Sequence, residues 1–185
     1  MCGDMVVSIA QALDYAARKH VHQRRKGQLA EPYINHLTDV SRRLAEATNG
    51  SDVELVIAGL LHDVMEDCDV RHDELQNQFG ADVASLVREV TDDMTLAKPE
   101  RKLLQVRFAA SKSPRAKMLR LADKTSNLHS LLTSPPPHWD MDRRQAYFEW
   151  AKQVADNCRG INSHLEAEFD LAYQQRSRLD VPCLV

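Results

Sequence analysis

Apolar residues recur at helical spacing almost from one end of this chain to the other, and no stretch alternates convincingly in the manner of a strand. Such a chain has to bury helices against helices, so the expected fold is all-α, with roughly eight or more helices. Val6, Ile9, Ala10, Leu13 and Ala16-Ala17 mark one face of a first helix. Arg18-Lys19-His20 closes it with positive charge, where the helix dipole favours it. After a loop from Arg24 to Pro32, a second helix runs from near Tyr33 to Asn49-Gly50. Ser51-Asp52-Val53-Glu54 has capping-box spacing and starts a third. Short helices are expected over 71–79 and 81–90, with Gly80 as the stop between them, and Thr91 to Ala97 reads as a polar loop. Longer helices follow over 99–111 and 114–132, the second opened by Ser113-Pro114. Ser134-Pro135-Pro136-Pro137-His138 is the clearest break, and two helices near 141–158 and 161–178 close the chain. The six glycines and 5% aromatic content argue against a sandwich or barrel. The 185 residues are expected to form one domain over 1–185.

The third helix is chemically unusual. Its apolar run, Leu55-Val56-Ile57-Ala58-Gly59-Leu60-Leu61, leads into His62-Asp63-Val64-Met65-Glu66-Asp67. On a continuous helix, positions 62, 63, 66 and 67 share an arc of about 140°, and the rest of the surface is apolar enough to be buried. Three carboxylates and an imidazole facing inward are costly unless something compensates their charge, and a divalent cation does so most simply. Asp123 repeats the anomaly in a second apolar helix, Met118-Leu119-Arg120-Leu121-Ala122-Asp123-Lys124, with Asn127 four residues on and on the same face. Taken alone, that segment favours an ion pair with Arg or Lys over a metal. His36, in Pro32-Tyr33-Ile34-Asn35-His36, gains weight only beside the others.

Together His36, His62, Asp63 and Asp123 form a set of two imidazoles and two carboxylates, suited to Mn²⁺, Fe²⁺ or Zn²⁺ with positions left open. Such an ion would acidify a water and polarise a phosphoryl oxygen. Glu66 and Asp67, one turn beyond, are candidates to hold or deprotonate that water. Arg24-Arg25-Lys26 can grip phosphate or stack on a base, although a three-residue basic run is more often plain solvated surface. Arg71 to Glu74 reads as surface. His20, His22, His72, His129, His138 and His164 lack a partner pattern and receive no metal.

The net charge of −3 gives no general pull toward nucleic acid or membranes, so an anionic substrate needs a local basic patch. The cysteines at 2, 68, 158 and 183 have neither metal-ligand nor redox spacing. With no signal peptide or membrane-length apolar run, they read as reduced thiols of a cytoplasmic protein.

In order, the segments Ala16-Ala17-Arg18-Lys19-His20, Gln23-Arg24-Arg25-Lys26, Pro32 to His36, Leu60 to Asp67, Phe79-Gly80, Val90-Thr91-Asp92-Asp93, Leu121 to Leu128 and Tyr147-Phe148-Glu149-Trp150-Ala151 resemble the HD-domain hydrolases of the RelA/SpoT type. The nearest resemblance is to the small stand-alone alarmone hydrolases of the metazoan SpoT-homologue group. It covers roughly residues 8–178. It implies a single HD-domain helical bundle around one Mn²⁺, held by His36, His62, Asp63 and Asp123, with Glu66 and Asp67 placed for catalysis. It further implies that Arg25-Lys26 meets the guanine end of a nucleotide and that Asn127 meets the ribose or its phosphates.

The implied reaction is (p)ppGpp 3′-pyrophosphohydrolysis by metal-activated water, giving GDP or GTP and pyrophosphate. The alternative is an HD-domain phosphatase acting on NADPH or another nucleotide phosphate, and a nucleotide sensor without turnover is a third possibility. Two departures bear on substrate choice. His129 stands where the family usually has arginine, which would weaken a phosphate grip there. The loop Gly27-Gln28-Leu29-Ala30-Glu31 is about two residues longer than in the long bacterial members.

Overall fold

The computed structural model describes residues 2–180, with side chains from Asp4 to Leu179. Cys183 and the side chain of Cys2 lie outside the described residues. Ten α-helices follow one another: α1 (Cys2–Lys19), α2 (Ile34–Ala47), α3 (Val53–Leu61), α4 (Val64–Asp67), α5 (His72–Phe79), α6 (Ala81–Val90), α7 (Lys98–Ala109), α8 (Pro114–Thr133), α9 (Met141–Asp156) and α10 (Ser163–Gln174). A 3-10 turn over Gln175–Asp180 ends the described chain. Extended pairing among the described residues is limited to one isolated bridge, Arg24 with Pro32. No helix among them is long and apolar enough to cross a membrane.

Helix α3 is the centre of the packing. All seven residues from Leu55 to Leu61 are buried, as expected of a helix that is apolar all round. α1, α2, α6 and α8 surround it. The approach of α2 is closest at Gly59, where a Cβ would lie 2.9 Å from Leu44 Cδ1 and 3.0 Å from Ser41 Cα. Any side chain there would push the two helices apart, and with them His36 and His62. Ser41 Oγ donates to the Val56 carbonyl at 2.9 Å and fixes the same contact.

Two local expectations change. The third helix is capped by Asp52, whose carboxylate accepts from Leu55 N at 3.0 Å, and not by Ser51. The Asp52 carboxylate is also paired with Arg115, which ties the start of α3 to the start of α8. The acidic segment is not one continuous helix, because α3 ends at Leu61 and α4 begins at Val64. His62 Nδ1 takes the Gly59 carbonyl at 2.9 Å, the acceptor that the Asp63 amide would need to continue α3. The polar loop at 91–97 and the stops at Gly80 and Ser134 fall as expected, with Gly80 at φ 89°.

Candidate metal centre and nucleotide cleft

His36 stands in the first turn of α2, His62 and Asp63 form the turn between α3 and α4, and Asp123 lies near the middle of α8. One donor atom each from His36, His62 and Asp123 fall within 4.8 Å of one another. His36 Nε2 is 3.3 Å from Asp123 Oδ1 and 3.7 Å from Asp63 Oδ2. His62 Nε2 is 3.1 Å from Asp63 Oδ2 and 3.9 Å from Asp123 Oδ1. Helices remote in sequence thus bring all four expected ligands together.

The far side of each ligand is held. His62 Nδ1 can only donate to the Gly59 carbonyl, which turns Nε2 toward the cluster. That Nε2 is buried and, although Asp63 Oδ2 lies 3.1 Å away, makes no well-formed hydrogen bond among the described residues. His36 Nδ1 meets Ser126 Oγ at 3.0 Å, and Ser126 is hydrogen-bonded in turn to Asp39. Tyr33 donates to Asp63 Oδ2 at 2.7 Å. Lys124 Nζ donates to Asp123 Oδ2 at 2.8 Å, and Asn127 Nδ2 donates to Asp123 Oδ1 at 2.6 Å. The ion pair favoured by the α8 segment therefore exists, and it uses the carboxylate oxygen that points away from the imidazoles.

Charge is balanced unevenly. Burial, and then the charge of Arg25, depress the His36 pKa and keep that imidazole neutral. Burial also opposes protonation of His62, but Asp63 and Asp123 outweigh it and raise its pKa to about 9. Burial acts to raise Asp123, yet Lys124 and the two imidazoles hold it well below the usual carboxylate range. Before any cation is bound, His62 thus carries a proton in the space between two carboxylates. An orphaned buried Nε2 amid anionic oxygens fits a divalent ion with nitrogen and oxygen ligands.

A cleft of about 310 Å³ meets the cluster at Asp63 and is lined besides by Gln23, Arg24, Arg25, Lys26, Tyr33, Glu66, Asp67, Lys98, Asn127 and Tyr147, among others. Glu66 Oε1 accepts from the Asp92 amide at 2.6 Å. Burial, only partly offset by that hydrogen bond, brings its carboxyl up to about 7. Asp67 Oδ2 accepts from Gln23 at 2.7 Å. Arg25 donates to Asn127 Oδ1 at 2.8 Å and to Ser130 Oγ at 3.1 Å, and its guanidinium lies 5.6 Å from the Tyr33 ring centre. Lys26 lines the cleft, with no salt bridge among the described residues.

The loop that carries these cations is pinned to the end of α8. Leu29 N donates to Ser134 Oγ at 3.0 Å, and a Cβ at Gly27 would overlap the Ser134 carbonyl oxygen. His129 does not line the cleft. It is half-buried in the charge field of Arg43, Asp39 and Glu168, on the side of α8 that meets α2 and α10. The expected weakening of a phosphate grip there has no counterpart in the structure.

Residue-by-residue reading of the sequence missed Tyr33, Gln23, Ser126, Lys124, Lys98 and Tyr147. Lys124 was adjacent to a suspect aspartate and could have been paired with it. Gln23 and Lys98 carry no local signal, because only the fold brings them to the cleft. His20, which received no role, stacks on Tyr33 at 5.1 Å and is bound to Gln23, so it braces two cleft residues from behind. The Cys68 thiol beside it is raised to about 11 by burial and Asp67, which makes a thiolate nucleophile there untenable at neutral pH.

Residues 12–149 match the family model described as HD domain. The chain is 47% identical over 169 residues to the guanosine-3′,5′-bis(diphosphate) 3′-pyrophosphohydrolase MESH1 of Drosophila melanogaster, covering 91% of this chain and 94% of the relative. The human protein of the same name is 46% identical over 174 residues, covering 94% and 97%. A solved structure of a metazoan ortholog of SpoT, described as hydrolysing ppGpp and playing a role in starvation responses, aligns with a TM-score of 0.88 at 46% identity. That alignment covers 92% of this chain and 96% of the other.

Proposed function

This chain belongs to the HD-domain family, and from that premise we propose that it is a Mn²⁺-dependent (p)ppGpp 3′-pyrophosphohydrolase. The carrying observation is a cleft whose lining places Asp63, which contacts both imidazoles of the buried His/Asp cluster, and the acidic pair Glu66-Asp67 opposite a wall of cations. That distribution suits a polyanionic nucleotide whose reacting phosphorus must lie against the cluster while its other charges are neutralised nearby. The names of the Drosophila and human relatives, which align over almost their full length, support the same substrate.

In this reading His36, His62, Asp63 and Asp123 hold the cation. When bound, it supplies Lewis acidity toward a water and a phosphoryl oxygen. Glu66 takes the proton of the attacking water, for which a carboxyl near 7 is well matched at neutral pH. The water oxygen bonds to the phosphorus attached to O3′, the bond from that phosphorus to O3′ breaks, and the proton ends on O3′. GDP or GTP and pyrophosphate result. Asp67, oriented by Gln23, holds the water in line. Arg25 and Lys26 receive the base end of the nucleotide, and Asn127 the ribose or its phosphates. A cytoplasmic location is supported by the free thiols of Cys68 and Cys158.

The test is incubation with ppGpp and Mn²⁺, with and without chelator, followed by ion-exchange separation. Chelator-sensitive formation of GDP and pyrophosphate is expected. An unchanged ppGpp peak with cation bound overturns the substrate assignment. NADPH, run in parallel, examines the alternative, for which the longer loop over Gly27–Glu31 is the remaining motive now that His129 lies outside the cleft. Tight binding of ppGpp without cleavage would favour a sensor.

A further inference from the structure

Lys124 is a buried cation beside the metal cluster for which the proposed reaction has no use. It is 4% exposed, and its ammonium is turned to Asp123 and Trp150. Its ammonium donates to Asp123 Oδ2 at 2.8 Å and lies 4.6 Å from the centre of the Trp150 ring, which the Lys102 ammonium also approaches, at 4.3 Å. Trp150 is itself fixed, its Nε1 donating to the Lys102 carbonyl at 3.1 Å. The other oxygen of Asp123 takes Asn127 and faces both imidazoles.

We propose that Lys124 is a positioning residue that acts through Asp123. It is the standing counter-charge of the cluster: it holds Asp123 by Oδ2, presents Oδ1 alone to the cation, and keeps the cation-free centre assembled. The inference rests on the reading of the His/Asp cluster as a cation site, and not on the identity of the nucleotide.

The physical argument concerns the protein without its cation. Asp63 and Asp123 are then two largely buried carboxylates that converge on the same imidazoles, and such a pair repels unless positive charge is near. Lys124 supplies that charge from the side of Asp123 that a ligand does not need. It has the reach to do so because α9 places Trp150 behind it, and a cation on an aromatic face tolerates desolvation. The loaded centre then needs Lys124 less, since the metal compensates the same carboxylates. A lysine that merely filled space would show no such dependence.

The experiment uses the full chain, stripped with chelator and divided, with one half reloaded with Mn²⁺ alone. Melting temperature is read for the wild type, Lys124→Met, Lys124→Arg and the double variant Asp123→Asn/Lys124→Met. Lys124→Met, of similar volume, is expected to widen the gap between loaded and stripped protein by about 10 °C, through loss in the stripped form. Lys124→Arg should restore the wild-type gap. The double variant removes both charges and should melt near the stripped wild type while taking up no Mn²⁺. If Lys124→Met lowers both forms equally, or the double variant falls as far as the single one, Lys124 is packing only and the proposal fails. If stripped Lys124→Met is insoluble, a soluble double variant supports the proposal and an insoluble one overturns it. A wild type that takes up no Mn²⁺ overturns the cation reading and this inference with it. Absence of ppGpp turnover alone touches neither.

Discussion

His36, His62 and Asp123 stand on or at the ends of packed helices and are 4%, 5% and 7% exposed, whereas Arg24 and Lys26 across the cleft stand on a loop and face solvent. Every ligand-facing group on the first wall has a second partner that fixes its orientation, as with Gly59 for His62, Ser126 for His36, Tyr33 for Asp63 and Lys124 for Asp123. On the second wall, Arg24 spends its hydrogen bonds on neighbouring loop carbonyls, and Arg25 alone reaches across to α8. The contrast separates two tasks. A centre that holds an ion must be preorganised to a fraction of an ångström, while a wall that receives a flexible polyanion can keep its long side chains in water until the ligand arrives.

The largest effect should follow from breaking the buried wall. Asp63→Ala or Asp123→Ala is expected to lose the cation, by elemental analysis after gel filtration, and to lower turnover on the order of 10⁴-fold. Full activity in either variant would break the ligand set. Glu66→Gln should retain the cation yet lose about 10²- to 10⁴-fold in kcat. Burial raises Glu66 to about 7, and it must be ionised to accept a proton, so kcat/KM should climb with pH through a limb that the glutamine variant lacks. A cation bound beside Asp63 favours the ionised carboxylate, so the limb in loaded enzyme should fall at or below 7. Its persistence in Glu66→Gln would assign the base elsewhere.

The solvent-facing wall should respond in binding and not in stability. Lys26→Ala is expected to raise KM about tenfold, the worth of one charge-assisted contact, with kcat and melting temperature nearly unchanged. A matching fall in melting temperature would mean that the two walls are not built differently. The smallest effect is expected for His129→Arg, within about twofold in KM, because the side chain lies among Asp39, Arg43 and Glu168. A large gain in affinity would return that position to the substrate site.

The buried wall is far more legible in the sequence than the solvent-facing one, for a physical reason. A buried carboxylate in an apolar helix violates hydrophobic patterning, so Asp63 and Asp123 stand out without any knowledge of the fold. A cation on a loop violates nothing, and Lys98 enters the cleft only because the start of α7 is folded over it. Helix positions were readable wherever a stop residue punctuates them, as at Gly80 and at Ser113-Pro114. The break between α3 and α4 was not readable, since it arises from a side chain, His62, competing for a backbone carbonyl that the apolar periodicity says nothing about. His129 misled for the complementary reason: sequence distance from Asn127 does not say which face of α8 points into the cleft.

The pinned hairpin has a consequence for how such a pocket diversifies. Its base admits no side chain at Gly27, where the Ser134 backbone occupies the space, while Gln28, Leu29 and Ala30 at the tip are exposed. A lineage altering this wall therefore has one cheap route and one closed route. Residues can be gained or lost at the tip, where neither register nor packing is at stake, but a single methyl group at the base would dislodge the whole loop from α8. Differences in nucleotide preference among relatives of this chain should accordingly be recorded as changes of loop length around positions 28–30, with the glycine at 27 left alone.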